Sequence, residues 1–285
     1  MIEKPLRILM CTNCGLHGAL VLARMLASRR LTIVGIVISS RLLRPRFGFI
    51  RGAIEYARLC GLAYTAYLWC STSLADALLR ISPFSPIASV AKQAKLHGIP
   101  TIETRHINDA EGKKFVEELA PELLVSAFFN QRIGEPIARL PRYGAVNIHP
   151  APLPDFRGVD PVFYEKCQRS PELGVSVHWM TAEFDSGNLL ARETRPADPD
   201  SSVWWSTAES YGLGGDLLVG VLDEIARGAK GLPQAAGGSY DTWPTPVKVD
   251  ELRRQGGTLV SMHDLLNLWR GRIPNQAAAP TETSH

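Results

Sequence analysis

Three polar side chains in the second half of the chain have types and spacings suited to one reactive site. Asn147 and His149 lie two residues apart in the run AVNIHPAPLPDFRG, residues 145–158. On a β-strand this spacing places both side chains on the same face, which pairs an amide with an imidazole. Asp185 lies in the turn-forming run FDSG, which follows an apolar stretch. An amide, an imidazole and a carboxylate are therefore expected to meet in one crevice.

Three prolines leave the expected strand directly after His149. Pro150, Pro152 and Pro154 occupy alternate positions of the segment that follows. Proline fixes φ and reduces the conformational freedom of the chain, so the segment holds the polar pair in place at little further entropic cost.

The elements that must position these residues alternate between strand and helix. Apolar runs predict strands at residues 7–11, 31–39, 122–129, 144–149 and 174–180. Helical patterns are expected at 20–26, 53–79, 87–97, 110–119 and 201–227. This order predicts an α/β fold with a doubly wound, mostly parallel sheet. Ligands of such sheets bind beyond the carboxyl ends of the strands, where Asn147 and His149 are expected.

The chain is predicted to divide into three parts. Residues 1–228 form the catalytic domain, with a helical insertion at about 41–86 that opens with Arg41, Arg44, Arg46 and Arg51. Residues 229–274 form a small carboxy-terminal extension, in which Tyr240 and Trp243 are expected to anchor the tail. Residues 275–285 are rich in Ala, Pro and Thr and are expected to be disordered.

Composition favours a protein of the reducing cytoplasm. The balance of 31 Lys and Arg against 28 Asp and Glu is too mild to indicate nucleic acid or an anionic membrane as partner. Five cysteines form an odd set without the spacing of a secreted disulfide framework. No apolar run approaches the roughly 20 residues that span a bilayer, so no membrane association is expected. Cys11 and Cys14 form a C-x-x-C pair, but no second pair accompanies them, so no metal is expected.

The ordered set of motifs resembles the 10-formyltetrahydrofolate-dependent formyltransferases, which include methionyl-tRNA, glycinamide ribonucleotide and sugar N-formyltransferases. The set consists of the Asn-x-His-Pro run at 147–150, Leu-Pro followed by Arg-Gly at 153–158, and the Asp-x-Gly loop at 185–187. The resemblance extends from about residue 7 to residue 228 and is strongest over residues 121–193. It implies a Rossmann-like fold, 10-formyltetrahydrofolate as co-substrate and no metal.

The resemblance implies a catalytic role for each polar residue. An acceptor amine attacks the formyl carbon, and negative charge develops on the carbonyl oxygen. Asn147 would donate a hydrogen bond to this oxyanion, and His149 would donate likewise or carry a proton. Asp185 would orient His149 and, through a water molecule, move the amine's proton.

The same resemblance implies two binding regions. The folate pocket is expected to be formed largely by backbone groups, at Phe129, Gln131, Ile133, Thr181, Ala182, Glu183 and Phe184. Acceptor binding is expected at Arg157, Gly158, Asp160, Asn13 and His17. The remaining histidines, including His178, are expected to be structural or exposed to solvent.

Departures from the family pattern bear on the acceptor. Ala151 stands where the family usually has serine, and the loop at 12–18 lacks the glycine-rich phosphate cradle of the glycinamide ribonucleotide enzymes. The segment after Gly228 is shorter than the carboxy-terminal domain of the tRNA enzymes. A small-molecule amine is therefore the expected acceptor, either an amino sugar nucleotide or an amine of specialised metabolism.

Three alternatives are kept open. Methionyl-tRNA is the second candidate for the acceptor. The Arg41 to Arg51 stretch is expected to be a solvated basic loop, and the alternative is that it holds the phosphates of a nucleotide acceptor or of tRNA. The chain could also be a folate-binding protein without turnover, or a hydrolase that releases formate. The oligomeric state is left open, with a homodimer as one option.

Overall fold

A mixed β-sheet carries the fold. The structure is a computed structural model that describes residues 4–40 and 49–273. The strands are β1 (Leu6–Asn13), β2 (Leu31–Ser39), β3 (Thr101–Thr104), β4 (Leu123–Ala127), β5 (Ala145–His149), β6 (Arg157–Gly158), β7 (Glu172–Trp179), β8 (Leu189–Pro196) and β9 (Tyr240–Asp241). The main sheet has seven strands in the order β3-β2-β1-β4-β5-β7-β8, and β6 pairs with β9 in a separate ladder.

Helices cover both faces of the sheet. They are α1 (Leu16–Ala27), α2 (Phe49–Trp69), α3 (Ala75–Ile81), α4 (Val90–Leu96), α5 (Ala110–Leu119), α6 (Glu135–Ala138), α7 (Pro161–Cys167), α8 (Val203–Ala226), α9 (Pro246–Arg254) and α10 (Met262–Trp269). A π-helical turn, Cys70–Leu74, joins α2 to α3. Helices α1 and α8 pack on one face with the larger core, and α5 and α6 pack on the other.

The direction of pairing changes once across the sheet. Strands β1 to β5 pair in parallel, whereas β7 pairs antiparallel with both β5 and β8. The chain runs from β1 outward to β3 and then crosses back to β4, so the order switches between β1 and β4. The prediction of a doubly wound, mostly parallel sheet is confirmed. The carboxyl ends at this switch are where a ligand crevice is expected.

Apolar composition accounts for the strands that the sequence predicts well. The run LTIVGIVIS of β2 is buried at eight of its nine positions, as expected for a parallel strand covered on both faces. Strands β3 and β8 were not predicted. The sequence of β3 is TIET, and β8 is an edge strand whose LLARETRP run is half-buried or exposed, so neither has a long apolar run.

Helix α2 begins the part of the insertion that the structure describes. It is interrupted at Gly61, whose φ of 84° lies in the left-handed region. Tyr64 and Tyr67, in the second half of α2, are 0% and 4% exposed. This half of the helix therefore lies against the core. Residues 41–48, which include three of the four arginines of the expected basic stretch, lie outside the described residues.

The carboxy-terminal extension packs on the same side of the molecule. Strand β9 pairs with β6, α9 packs against α2 and α7, and α10 packs against α3. Val249, Leu252 and Leu268 are buried in these contacts. The proposed division at residue 228 stays a prediction, and the tail at 275–285 lies outside the described residues. Within residues 4–40 and 49–273, no helix has the length and hydropathy to cross a membrane.

Candidate active site

A cavity of about 960 Å³ lies at the carboxyl ends of β1, β4 and β5. One part lies between two loops, residues 128–133 after β4 and residues 180–185 after β7. The other part is walled by α2, by residues 158–161 and by Tyr240 and Trp243. The cavity therefore occupies the crevice that the switch in strand order creates.

Asn147 and His149 lie on the same face of β5, as their spacing predicts. Both line the cavity, and His149 is 4% exposed. His149 Nε2 is 2.9 Å from the carbonyl oxygen of Phe156. Because a carbonyl oxygen only accepts hydrogen bonds, Nε2 carries a proton and donates it. Nδ1 is then the ring atom that can gain or lose a proton.

His178 lies opposite Asn147 in the pairing of β5 with β7. Its Nδ1 is 2.9 Å from the Trp179 carbonyl oxygen and donates to it, which leaves Nε2 as an acceptor. The Asn147 amide nitrogen lies 3.3 Å from this Nε2 atom. His178 thus accepts one N–H of the amide and orients the rest of the Asn147 side chain within the site.

His178 is expected from the sequence to be structural or exposed to solvent, and in the structure it also takes part in the cavity. The side chain is buried, but it lies in the cavity beside the three predicted residues. Its relation to Asn147 arises from an antiparallel pairing between strands, and no sequence motif records that pairing.

Asp185 reaches the histidines from the loop after β7. Its φ is 53°, in the left-handed region that tight turns use. Oδ1 lies 3.5 Å from His149 Nδ1 and 3.6 Å from His178 Nε2. Oδ2 accepts a hydrogen bond of 3.0 Å from the Gly158 N–H. The loop therefore folds back over the end of β5, as the expected meeting of the three residues requires.

Gln234, in the carboxy-terminal extension, holds the Asp185 loop. Its side-chain amide donates to the carbonyl oxygens of Asp185 and Gly187 at 2.8 and 2.7 Å. The sequence offered no signal for this contact, because Gln234 and Asp185 are 49 residues apart.

Electrostatics favour an ionised carboxylate at the centre of the site. Burial raises the pKa of Asp185, but His149, His178 and the Gly158 N–H outweigh burial and hold the pKa well below its usual range. Burial lowers the pKa of His149, and Asp185 offsets part of this decrease. A proton that arrives at His149 Nδ1 would therefore be stabilised by the adjacent carboxylate.

All seven residues expected to bind folate line the cavity. They are Phe129, Gln131, Ile133, Thr181, Ala182, Glu183 and Phe184. The side chain of Gln131 bonds to the Ile107 N–H, the Ser39 hydroxyl and the Thr104 carbonyl. Its side chain is thus occupied by the fold, which leaves its backbone to face a ligand.

Arg132 connects the two loops of this part of the cavity. Its guanidinium donates to the Ala182 carbonyl at 2.7 Å and lies 5.6 Å from the centre of the Phe184 ring. The two loops are therefore held together as the walls of one slot.

Only some of the residues expected to bind the acceptor line the cavity. Asn13, Gly158 and Asp160 line the cavity, whereas Arg157 and His17 are not among its lining residues. Arg157 donates to the carbonyl oxygens of Ser239 and Gly237. His17 is 1% exposed and packs between Phe128 and Tyr211, and burial lowers its pKa to about 4. The structure does not bring Arg157 or His17 to the cavity.

An aromatic wall lines the second part of the cavity. Trp243 packs edge-on against Tyr56 and Tyr64, with ring centres 5.0 and 6.4 Å apart. All three side chains line the cavity, as do Tyr67 and Tyr240. Tyr240 and Trp243 thus contribute to the cavity in addition to any role in anchoring the tail.

The cysteines show no features of a reactive or metal-binding pair. All five are free thiols, and Cys11 is buried. Burial raises the pKa of Cys14 to about 11 and that of Cys11 still further. Within the described part of the chain, no group of three or more His, Cys, Asp or Glu residues could hold a metal ion.

Comparisons with known proteins agree on one family. A family model described as formyl transferase matches residues 63–211. The methionyl-tRNA formyltransferase of Roseiflexus sp. (strain RS-1) is 35% identical over 144 residues, which are 50% of this chain and 44% of that protein. The chain thus matches less than half the length of this curated relative.

Solved structures share the fold at low sequence identity. The phosphoribosylglycinamide formyltransferase of Anaplasma phagocytophilum has a TM-score of 0.54 at 15% identity, over 84% of this chain and 98% of that one. An N-formyltransferase of Helicobacter canadensis, in complex with folinic acid and dTDP-3-aminofucose, has a TM-score of 0.52 at 13% identity. That match covers 83% of this chain and 71% of the other.

Proposed function

The chain belongs to the formyl transferase family, and from this premise we propose that it transfers a formyl group from 10-formyltetrahydrofolate to an amine of a small molecule. One observation carries the proposal. Asn147, His149 and Asp185 line the same cavity as the slot formed by the two loops and the aromatic wall, and His149 lies 3.5 Å from Asp185. A donor in the slot and an acceptor beside the wall would meet at these residues.

The slot has the chemistry that a reduced folate requires. Phe129, Ile133 and Met180 give it apolar sides, and the loops expose backbone that is not part of a helix or strand. A pterin ring combines a flat face with an edge of hydrogen-bond donors and acceptors, so apolar walls and irregular backbone suit it. The folate would supply an activated formyl carbon.

Each residue of the site would then have its own role in the reaction. Asn147 would donate its remaining amide N–H to the oxygen on which negative charge develops as the acceptor amine attacks. His149 would take up a proton at Nδ1, where Asp185 stabilises the resulting imidazolium. The new C–N bond forms at the acceptor amine as the bond to the folate nitrogen breaks, and the proton that His149 took from the amine passes to that nitrogen.

A small molecule is the preferred acceptor because this chain's own segments wall the acceptor side. Helix α2 and Trp243 lie beside the cavity, so the amine must fit against them. Methionyl-tRNA is the second candidate, and the matched methionyl-tRNA formyltransferases favour it. An amino sugar nucleotide corresponds to what the Helicobacter canadensis neighbour holds.

The proposal is tested by a screen of amines with 10-formyltetrahydrofolate, read by mass spectrometry as the gain of one formyl group. Wild-type protein should formylate at least one small amine, and Asp185→Asn should abolish the product. Asp250→Asn, which changes an exposed carboxylate on α9, serves as the control and should leave the yield unchanged.

Three other outcomes would contradict the proposal in distinct ways. Release of formate without a formylated product would indicate a hydrolase. Folate binding without turnover of any amine would indicate a non-catalytic binding protein. Formylation of methionyl-tRNA alone would keep the chemistry and reject the small acceptor.

A further inference from the structure

Asp160 is a carboxylate within the aromatic part of the cavity that the proposed chemistry does not use. It lies two residues after Gly158, whose N–H bonds to Asp185, and it precedes the first residue of α7. Its φ of 48° lies in the left-handed region. The residue is half-buried and lines the cavity. Its remaining exposed surface is therefore available to a bound molecule.

A tyrosine of α2 holds this carboxylate in place. The Tyr64 hydroxyl donates to Asp160 Oδ2 at 2.6 Å. The Tyr64 ring is buried, so the contact is shielded from bulk water. A carboxylate offers about four acceptor positions. The one phenol leaves acceptor capacity for a further donor.

Charge on this side of the cavity is negative. Of the described residues that line the whole cavity, Asp160, Glu183 and Asp185 are acidic and Arg132 is basic. Arg132 is bound to the Ala182 carbonyl in the folate slot, away from the aromatic wall. Among the residues that the structure describes, this balance attracts cations to a partly enclosed site.

The wall beside Asp160 suits an apolar or aromatic body. Tyr64 packs on Phe163 as well as on Trp243, and Trp243 packs on Tyr56, so the rings support one another. Aromatic faces bind flat apolar groups and also attract a cation placed over the ring.

From these observations, and resting on the proposed formyl transfer, we infer that Asp160 selects the acceptor. The acceptor class is a primary amine on an apolar or aromatic body, and Asp160 receives its ammonium group when it binds. The bound ammonium loses one proton to solvent before the amine attacks the formyl carbon. The aromatic wall holds the body, and Asp160 provides the charged contact. Burial raises the pKa of Asp160 to about 6. This value is still below neutral pH, and the carboxyl group is therefore ionised there.

A purely structural role for Asp160 makes different predictions. In that case its only task would be to fix α2 to the start of α7 through Tyr64. Loss of the Tyr64 hydroxyl would then have the same effect as loss of the charge of Asp160. Under our inference, Tyr64→Phe keeps the carboxylate and therefore keeps the preference for a cation, whereas Asp160→Asn removes it.

The test is calorimetric binding of tryptamine and of tryptophol, its neutral analogue, to protein saturated with 5-formyltetrahydrofolate. This folate keeps the donor slot filled without transferring its formyl group. We expect wild-type protein to bind tryptamine about tenfold more tightly than tryptophol, as a charge-assisted contact in a shielded site allows. Asp160→Asn should erase the preference, and Tyr64→Phe should retain it. Asp155→Asn, an exposed carboxylate in the same loop, is the matched control and should behave as wild type.

Equal binding of tryptamine and tryptophol by wild type, no binding of tryptamine, or a preference that survives Asp160→Asn would each overturn the inference.

Failure of the inference remains separate from failure of the proposed function. The titration of 5-formyltetrahydrofolate is recorded first, and its heat reports on the folate slot alone. The amine titrations are then repeated without folate, so they decide the role of Asp160 even if the folate gives no heat.

Discussion

At the residue scale, the imidazole of His149 can change its protonation at one atom only. Nε2 is committed to the Phe156 carbonyl, and Nδ1 faces Asp185 at 3.5 Å. His178 faces the same carboxylate oxygen from the neighbouring strand at 3.6 Å. The protonation of His149 is therefore coupled to both neighbours, with opposite signs.

The pKa of His149 should move in opposite directions in two variants. Asp185 raises the pKa of His149 and His178 lowers it. In Asp185→Asn the pKa should fall further below its usual value, because the stabilising charge is lost. In His178→Ala it should rise. Histidine ring signals followed by NMR across a pH titration measure both shifts, and a shift of the same sign in the two variants would contradict the arrangement.

His178→Ala should also reduce turnover through Asn147. The amide loses the acceptor that orients it, and a misplaced donor costs roughly 10- to 100-fold in kcat. Folate affinity should change little, because His178 contacts Asn147 and Asp185. Unchanged kcat would show that Asn147 does not need this partner.

The sequence predicted that Asn147, His149 and Asp185 lie close together, as they do in the structure, but it did not predict all their partners. Short sequence motifs contain Asn147, His149 and Asp185, and the chain has these motifs in the expected order and spacing. His178 and Gln234 reach the site through pairings between distant segments, which local patterns do not encode. The role of Arg157 in acceptor binding stays a prediction, and in the structure its side chain donates to the Ser239 carbonyl.

At the element scale, the site depends on how the β6 segment meets the Asp185 loop. Gly158 has a φ of 102° and donates its N–H to Asp185. A Cβ at this position would collide with the Asp241 carbonyl of β9. Gly158 therefore belongs to the β6–β9 ladder and also makes the contact with the Asp185 loop.

Gly158→Ala should displace both neighbours and lower kcat about 100-fold, as misplacement of a catalytic group by about 1 Å does. The matched control is Gly228→Ala. Gly228 also has a positive φ, of 82°, but a Cβ added there would meet no atom within 4 Å. Both variants should lose thermal stability from backbone strain, and only Gly158→Ala should lose turnover. Equal kcat in the two would contradict the role of Gly158.

The apolar content of each segment decided whether the sequence predicted its helix or strand. Strand β2 and helix α5 were predicted with the bounds that the structure gives, because their hydrophobic periods are strong. Strands β3 and β8 lie toward the edges of the sheet and carry polar residues, so their pairing depends on neighbours that the local sequence does not identify.

At the scale of the whole molecule, a buried carboxyl away from the cavity affects stability. Glu165 on α7 is 0% exposed, and its Oε1 accepts from the Gly174 N–H at 3.3 Å. Burial raises the pKa of Glu165 to about 8. The folded state therefore keeps the proton over a pH range in which the unfolded state has lost it.

Stability should consequently fall as pH rises from about 4.5 to about 8, because the unfolded state binds fewer protons in this window. Glu165→Gln removes the titration, so its melting temperature relative to wild type should increase between pH 5 and pH 8. Glu111→Gln, at an exposed position on α5, is the control and should show no such trend. A constant difference across this range would contradict the burial of a protonated Glu165.

The central claim is that Asn147, His149 and Asp185 catalyse formyl transfer as one unit. The most direct measurement is the single-turnover rate from 10-formyltetrahydrofolate to an accepted amine, for His149→Ala, Asp185→Asn and the double variant. Each single change should lower the rate by roughly 10²–10⁴-fold with folate affinity retained, and the double should be little slower than either. Near-normal rates in the single variants, or losses that multiply in the double, would contradict the claim.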